Sequence, residues 1–198
     1  MIERTYIIGR DEVPCLVRLG DGESLRLTFV VLQGVSCDLP VEIDIDGEHA
    51  EVDIAGLYVC NSSENVKIDV TLNHNVGNCT SRQMFKGIVG GSSRAEFNGL
   101  IRVREGAQKT KAYQENHTIL LGRNAFAESK PQLEIYADDV ECSHGSTTGF
   151  LNADEQFYMQ SRGIPEQEAR RLQMISFISE VADRLPDNLK EQIYESLS

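Results

Sequence analysis

Cys142 and His144 place a thiol and an imidazole two residues apart, within the stretch YADDVECSHGSTTG at residues 136–149. If this stretch is a β-strand, both side chains project from the same face, with Cα atoms about 6–7 Å apart. Thiolate and imidazole are ligands of iron and zinc, and the same pair forms the nucleophile and base of some thiol enzymes. A third interpretation is structural, with a buried cysteine beside a hydrogen-bonded histidine. The residue types alone leave all three open.

Other residues with chemical potential lie nearby in the sequence. Asp138, Asp139 and Glu141 precede the pair, and paired carboxylates bind hard cations or exchange protons. Acids at a strand edge also prevent pairing between sheets, which is the interpretation we favour. A second imidazole and thiol, His74 and Cys79, flank the turn sequence Asn-Val-Gly-Asn, and turn chemistry does not require their side chains to converge.

Composition and motifs exclude several classes of function. The segment GIVGGSSR lacks the lysine of a phosphate-binding P-loop, and SHGS does not match the G-x-S-x-G nucleophile elbow. The net charge of −12 would repel a nucleic-acid backbone. No stretch approaches the roughly 18 apolar residues of a membrane span. We therefore expect neither nucleic acid nor a membrane as a partner.

The five cysteines carry no C-x-x-C pair, and their spacing matches neither a four-cysteine zinc site nor a ferredoxin cluster. Their odd number predicts reduced thiols. The N-terminal stretch MIERTYIIGRDEVPC lacks the apolar core of a secretory signal. Together these features predict a cytoplasmic location. Any metal bound here must use few ligands or share ligands with a partner.

The elements that position these residues are predicted to be mostly β. From Leu25 to about Phe150, short β-branched stretches recur every 10–15 residues or so, as in VKIDVTL at 66–72, with turn residues such as Asp-Gly between them. No long helical period separates them. The pattern favours a sandwich, a barrel or a β-helix over a doubly wound α/β fold, without choosing among the three.

A helical segment is predicted to follow this β region. Asn152 with Glu155 is a helix-start signature, Gly163 closes the first helix, and Pro165 begins the second, which Pro186 ends. We predict a β body over 1–150 and a helical subdomain over 151–198. The apolar stripe of the second helix either packs on the β body or binds a partner, and the pattern does not decide between these.

Three longer segments are similar to a known family. They are NHNVGNCTSRQMFKGIVGGSSRAEFNGLIRV (73–103), AQKTKAYQENHTILL (107–121) and AFAESKPQLEIYADDVECSHGSTTGFLNADEQFYMQSRGIPEQEARRL (125–172). Together they closely resemble the SufB/SufD family of iron–sulfur cluster assembly proteins. SufB-like members carry Glu-His-Glu where this chain reads Ser143–His144–Gly145, and a cysteine near Asn116. The chain therefore resembles the SufD branch.

The resemblance implies a right-handed parallel β-helix followed by a C-terminal helical subdomain. It implies a scaffold subunit that is not itself an enzyme and that acts with SufB and the ATPase SufC. Cys142 and His144 would be metal ligands shared across the subunit interface. The cargo would be an iron–sulfur cluster or iron, held transiently in the complex, with none tightly bound to the isolated chain. The rivals are a degenerate or truncated interaction module that dimerises without metal, and a stand-alone Cys/His enzyme.

By the same resemblance, the C-terminal helices dock the ATPase. The residues predicted to dock it are Phe157, Tyr158, Arg162, Gly163, Ile164, Pro165, Ala169 and Leu172. SufD proteins are usually about twice this length, so the chain is either a short homologue or a fragment. We expect the exposed end of its β-helix to be capped by Ile2–Cys15 or to remain bare. We also expect a homodimer through the sheet edge near Cys142 when the chain is isolated.

Overall fold

A computed structural model describes residues 1–197. In this described part of the chain, eleven strands precede three helices. The strands are β1 (Ile2–Ile7), β2 (Leu16–Leu19), β3 (Ser24–Val31), β4 (Cys37–Ile45), β5 (Glu51–Cys60), β6 (Asn65–His74), β7 (Thr80–Val89), β8 (Arg94–Val103), β9 (Lys111–Leu120), β10 (Phe126–Ile135) and β11 (Glu141–Phe150). The helices are α1 (Ala153–Ser161), α2 (Glu166–Ala182) and α3 (Asp187–Ser196).

Alternate strands form two parallel sheets that face each other. One sheet has the order β1-β3-β5-β7-β9-β11, and the other has the order β10-β8-β6-β4-β2. Each coil of the chain therefore adds one strand to each sheet, which confirms the predicted parallel β-helix. The pairing is in register, so inward-facing residues stack in columns along the axis. Val52, Ser81, Ala112 and Cys142 form one such column.

The interior between the sheets is apolar over most of its length. Alternate residues point inward, and Phe29, Phe85 and Phe97 are almost fully buried there. The large rings need space from the neighbouring strand: a Cβ at Gly56 would overlap the ring of Phe85. This pairing of a large ring with a glycine fixes the register of neighbouring coils, because a one-residue slip would put a side chain into the space that the ring occupies.

Helices α2 and α3 cover the outer face of the six-stranded sheet. Ile178, Val181 and Ile193 belong to the same apolar cluster as Leu57 and Ile88 on the strands. At the C-terminal end of α2 the Arg184 guanidinium lies 2.8 Å from the Asp53 carboxylate of β5. The apolar stripe of the second helix therefore packs on the β body. Helix α1 differs, because none of its residues is buried.

The segment Ile2–Cys15 extends the β-helix instead of capping it, so of the two outcomes expected for this end, the bare one is found. Strand β1 pairs in parallel with β3 in the same register as later coils, and β2 pairs with β4. Ile2 is 55% exposed because β1 is the last strand of its sheet at that end. The β signal before Leu25 was missed because β2 has only four residues and β1 alternates weakly. At the opposite end of the solenoid, β10 and β11 are the terminal strands.

Candidate functional site

Cys142 and His144 lie on β11, the terminal strand of the six-stranded sheet. Cys142 pairs with Ala112 and His144 with Gln114, and both partners on β9 are fully buried. The two candidate ligands therefore lie on the interior face of the strand. Because β11 is the last strand of its sheet within residues 1–197, His144 is nevertheless exposed and Cys142 only half-buried. The pair stands at the open end of the solenoid, which we call the open end below.

The thiol of Cys142 is held among apolar side chains. It packs against a small cluster that contains Ala112, with Leu133 and Val140 beside it. Burial raises the pKa of this thiol, and a hydrogen bond with the backbone of Ala112 offsets only part of that effect. The stand-alone enzyme interpretation needs the opposite, a thiolate at neutral pH. A metal ion bound here would have to displace the thiol proton.

The interior becomes polar as it approaches the open end. The Gln114 amide donates to Gln83 Oε1 at 3.1 Å. The buried Tyr58 hydroxyl lies 3.2 Å from Asn116 Oδ1 and 2.7 Å from Thr118 Oγ1. Burial raises the pKa of the Tyr58 hydroxyl to about 12, so it stays protonated. Sequence reasoning missed this network, because every residue of QENHT (114–118) is polar and nothing in the sequence marks Gln114, Asn116 and Thr118 as the buried ones.

The acids that precede the pair do not form a cation site. The Glu141 carboxylate binds Lys111 at 2.9 Å and accepts from the Tyr113 hydroxyl at 3.2 Å. These hydrogen bonds lower its pKa. The backbone N–H of Asp139 donates to Gln108 Oε1. Among residues 1–197, no group of three or more His, Cys, Asp or Glu side chains could hold a metal ion.

His74 and Cys79 make separate contacts. The His74 ring is fully buried, with Nε2 2.9 Å from Ser81 Oγ, and burial lowers its pKa to about 4. The Cys79 thiol donates to the carbonyls of Gly47 and Gly77. Both residues therefore have structural environments within the solenoid.

Two of the eight predicted docking residues, Tyr158 and Leu172, line a groove between β11, α1 and α2. The groove has a volume of about 800 Å³, and its lining includes Phe150, Tyr158 and Leu172. Tyr158 is 60% exposed, and the Arg162 guanidinium lies 5.3 Å from its ring centroid. Gly149 on β11 is the register partner of Ile119, which lines the groove. Because Gly149 has no side chain, the groove is left open beside Ile119.

The remaining docking residues differ in accessibility. Phe157 is 75% exposed but is not part of the groove lining. Gly163 follows α1 with a φ of 87°, which favours glycine, and Pro165 is the N-cap of α2. Ile164 between them is half-buried. Ala169 is fully buried, so it would influence docking only through helix packing.

Within residues 1–197 no helix is long and apolar enough to cross a membrane.

Comparison with known proteins gives one family. The model of the SUF system FeS cluster assembly SufBD core domain matches residues 16–177. The iron–sulfur cluster assembly protein SufD of Escherichia coli is 42% identical over 150 residues, which are 75% of this chain and 36% of that protein. A SufBD family protein of Synechocystis is 41% identical over 117 residues, 59% of this chain and 25% of its own.

A chloroplastic protein of Arabidopsis thaliana, ABCI7, is 38% identical over 144 residues, which cover 71% of this chain and 30% of that protein. The chain thus spans about a third or less of the length of these relatives. The family match covers most of the β-helix together with α1 and the greater part of α2, and so includes both Cys142 and His144. The chain therefore belongs to the SufBD core family of the SUF system for iron–sulfur cluster assembly, and its sequence is SufD-like.

Proposed function

We propose that this chain is a SufD-like scaffold subunit that pairs with a SufB-like subunit at the open end and binds a SufC-like ATPase through α1 and α2. The observation that carries the proposal is the position of Cys142 and His144 on the interior face of a terminal strand. In a finished β-helix these positions would be covered by another coil. Here the Cys142 and His144 side chains are accessible to a subunit that docks against the open end.

The open end offers an incomplete metal site. It supplies one thiol and one imidazole, whereas an iron–sulfur cluster is held by about four ligands. The missing ligands would come from the subunit that docks there. Strand β11 has an unpaired edge that can bind another strand through backbone hydrogen bonds. Ligands divided between two subunits suit a cluster that is cargo and must later be released. In the absence of the SufB-like subunit, a second copy of this chain would occupy the same edge.

The test is anaerobic cluster formation in a complex reconstituted from this chain, a SufB-like protein and a SufC-like ATPase. We expect the variant Cys142→Ala/His144→Ala to lower the iron and sulfide content of the complex. The matched control is Cys37→Ala/His49→Asn, which removes a half-buried thiol and an exposed imidazole away from the open end. Unchanged cluster content in the first variant would support the rival, an interaction module that binds no metal.

The groove is the proposed docking site for the ATPase. It presents exposed apolar surface, since Phe150 is 67% exposed beside Tyr158 and Leu172. Helix α1 lines it without any buried residue of its own, so its apolar side chains remain free to contact a partner. Contiguous exposed apolar surface on a folded protein marks binding sites for other proteins.

A glycine substitution tests this docking without disturbing the helices. A Cβ at Gly149 would meet no atom within 4 Å, so the backbone has room for the first carbon of Gly149→Leu, which adds an apolar side chain beside the groove. We expect it to weaken ATPase binding at least tenfold in calorimetry. Gly106→Leu is the control, because a Cβ there is equally unhindered in an exposed turn. Equal affinities for the two variants would remove the groove from the interface.

A further inference from the structure

A column of polar side chains leads through the interior to His144. Gln83, Gln114 and His144 are register partners on the adjacent strands β7, β9 and β11. Gln83 and Gln114 are both fully buried, and the Gln114 amide donates to Gln83 Oε1 at 3.1 Å. Two atoms of this column are buried and have no hydrogen-bond partner: Gln83 Nε2 and Gln114 Oε1.

The direction of the two amide groups explains why both atoms lack a hydrogen-bond partner. In a ladder of stacked amides, each carbonyl points along the axis toward the next side chain, and the N–H opposite to it points back. Gln83 Oε1 accepts from the β9 side, so its carbonyl points toward the open end. Its nitrogen therefore faces β5, where the register partner is the apolar Ile54. With the same orientation, Gln114 Oε1 faces β11, where the register partner is His144.

Packing fixes the Gln114 amide in this position. Its nitrogen, carbon and oxygen lie 2.3, 2.6 and 2.7 Å from the position that a Cβ of Gly99 would take, so the amide stacks on the Gly99 backbone of the opposite sheet. The side chain thus spans the interior from β9 to β8, and only glycine leaves it space. A buried carbonyl oxygen without a partner is costly. His144 makes no hydrogen bond to this oxygen in the structure. Its exposed imidazole one coil further on is brought within reach by rotation about its own side-chain bonds, because adjacent strands are only about 4.8 Å apart.

We propose that Gln114 is a positioning residue for His144: when the exposed imidazole turns inward, Gln114 Oε1 accepts the N–H of one ring nitrogen and leaves the lone pair of the other nitrogen directed at the open end. A metal-binding histidine usually donates its second ring N–H to such an acceptor, which fixes tautomer and orientation. The statement about the tautomer concerns the free chain. Its consequence for metal binding rests on the proposed function.

The tautomer can be measured on the full chain without metal. Long-range ¹H–¹⁵N correlation spectra at a pH where the ring is neutral show which nitrogen carries the proton, and His144→Gln assigns the signal. We expect one dominant tautomer in the wild type. In Gln114→Leu the ratio should move by roughly fivefold, which corresponds to about 1 kcal/mol for one net hydrogen bond. The control Tyr58→Phe, which removes a buried hydroxyl outside this column, should leave the ratio unchanged.

The outcomes separate this inference from the proposed function. A wild-type His144 with the mixed tautomers of a free side chain overturns the inference, whether or not Gln114→Leu folds. A ratio that Gln114→Leu does not change overturns it as well. If the ratio changes as expected, the ferrous-ion affinity of the reconstituted complex should fall several-fold in Gln114→Leu. An unchanged affinity would then overturn the role in metal binding while the hydrogen bond stands. Unchanged cluster content in Cys142→Ala/His144→Ala would overturn the proposed function and leave the hydrogen bond to Gln114 standing.

Discussion

Glu64 connects three successive coils of the solenoid, and its replacement by glutamine gives a measurable prediction. Its carboxylate accepts from the backbone N–H groups of Gly34 and Ser62, each at 2.8 Å, and from the Ser93 hydroxyl at 2.6 Å. The residue is only 5% exposed. Burial by itself raises the pKa of the carboxyl, but these hydrogen bonds outweigh it and lower the pKa from 4.5 to about 2.

The magnitude follows from linkage between protonation and folding. A fall in pKa from 4.5 to about 2 corresponds to about 3 kcal/mol of folding free energy. Because the folded-state pKa is the lower one, this contribution is complete above pH 4.5 and is lost as the pH falls toward 2. Glu64→Gln has no charge and turns an amide N–H toward donors. We expect it to lower the free energy of unfolding by about 3 kcal/mol at pH 7.

Urea unfolding of wild type and Glu64→Gln, followed by circular dichroism between pH 7 and 3, measures this effect. The difference between the two proteins should shrink as the pH falls below 4.5. The control is Glu105→Gln, which changes a glutamate that is exposed in a turn. A difference that does not depend on pH, or that the control reproduces, would refute the role given to the carboxylate.

Three further predictions concern other contacts. Burial lowers the pKa of His74 from 6.5 to about 4, so between these pH values only the unfolded chain takes up the proton, and the free energy of unfolding should fall by up to about 3 kcal/mol as the pH drops from 6.5 to 4. His74→Leu should lack this loss of stability in urea unfolding over the same pH range, and an identical pH dependence in the two proteins would contradict the prediction. Gly99→Ala should lower the free energy of unfolding in urea by about 1–3 kcal/mol, because the new methyl group overlaps the Gln114 amide. Adding Gln114→Ala should restore part of this stability, and an unchanged stability of Gly99→Ala would show that the amide moves freely. Arg184→Ala should cost about 1 kcal/mol in thermal unfolding because it breaks the 2.8 Å pair with Asp53, whereas an unchanged melting temperature would mean that apolar packing alone holds α2.

The β-helix illustrates what local pattern and resemblance each contribute. Alternation in VKIDVTL predicted a strand, and Val66, Ile68, Val70 and Leu72 are indeed buried on one face. Alternation cannot show whether a strand pairs with its sequence neighbour or with the next but one, because both arrangements bury the same face. The resemblance supplied that choice. The helix boundaries were clearer, since Asn152 caps α1 by accepting from the N–H groups of Asp154 and Glu155.

The candidate site was only partly visible in the sequence. The shared face of Cys142 and His144 follows from a two-residue spacing in a strand. Their position on the last strand of a sheet does not, because it depends on where the solenoid stops. Gln114 was also inaccessible to sequence reasoning. It looks like an exposed strand residue, and only the register with Gln83 and the space left by Gly99 make it a buried polar contact.

The central claim is that His144 binds iron at the open end, and electron–nuclear double resonance tests it most directly. The complex is reconstituted anaerobically with ¹⁵N-labelled histidine in this chain only, and the cluster is reduced to a paramagnetic state. We predict a ¹⁵N hyperfine coupling of a directly bound imidazole that disappears in His144→Ala. A cluster that forms without any ¹⁵N coupling, or with a coupling that survives this substitution, would contradict the account.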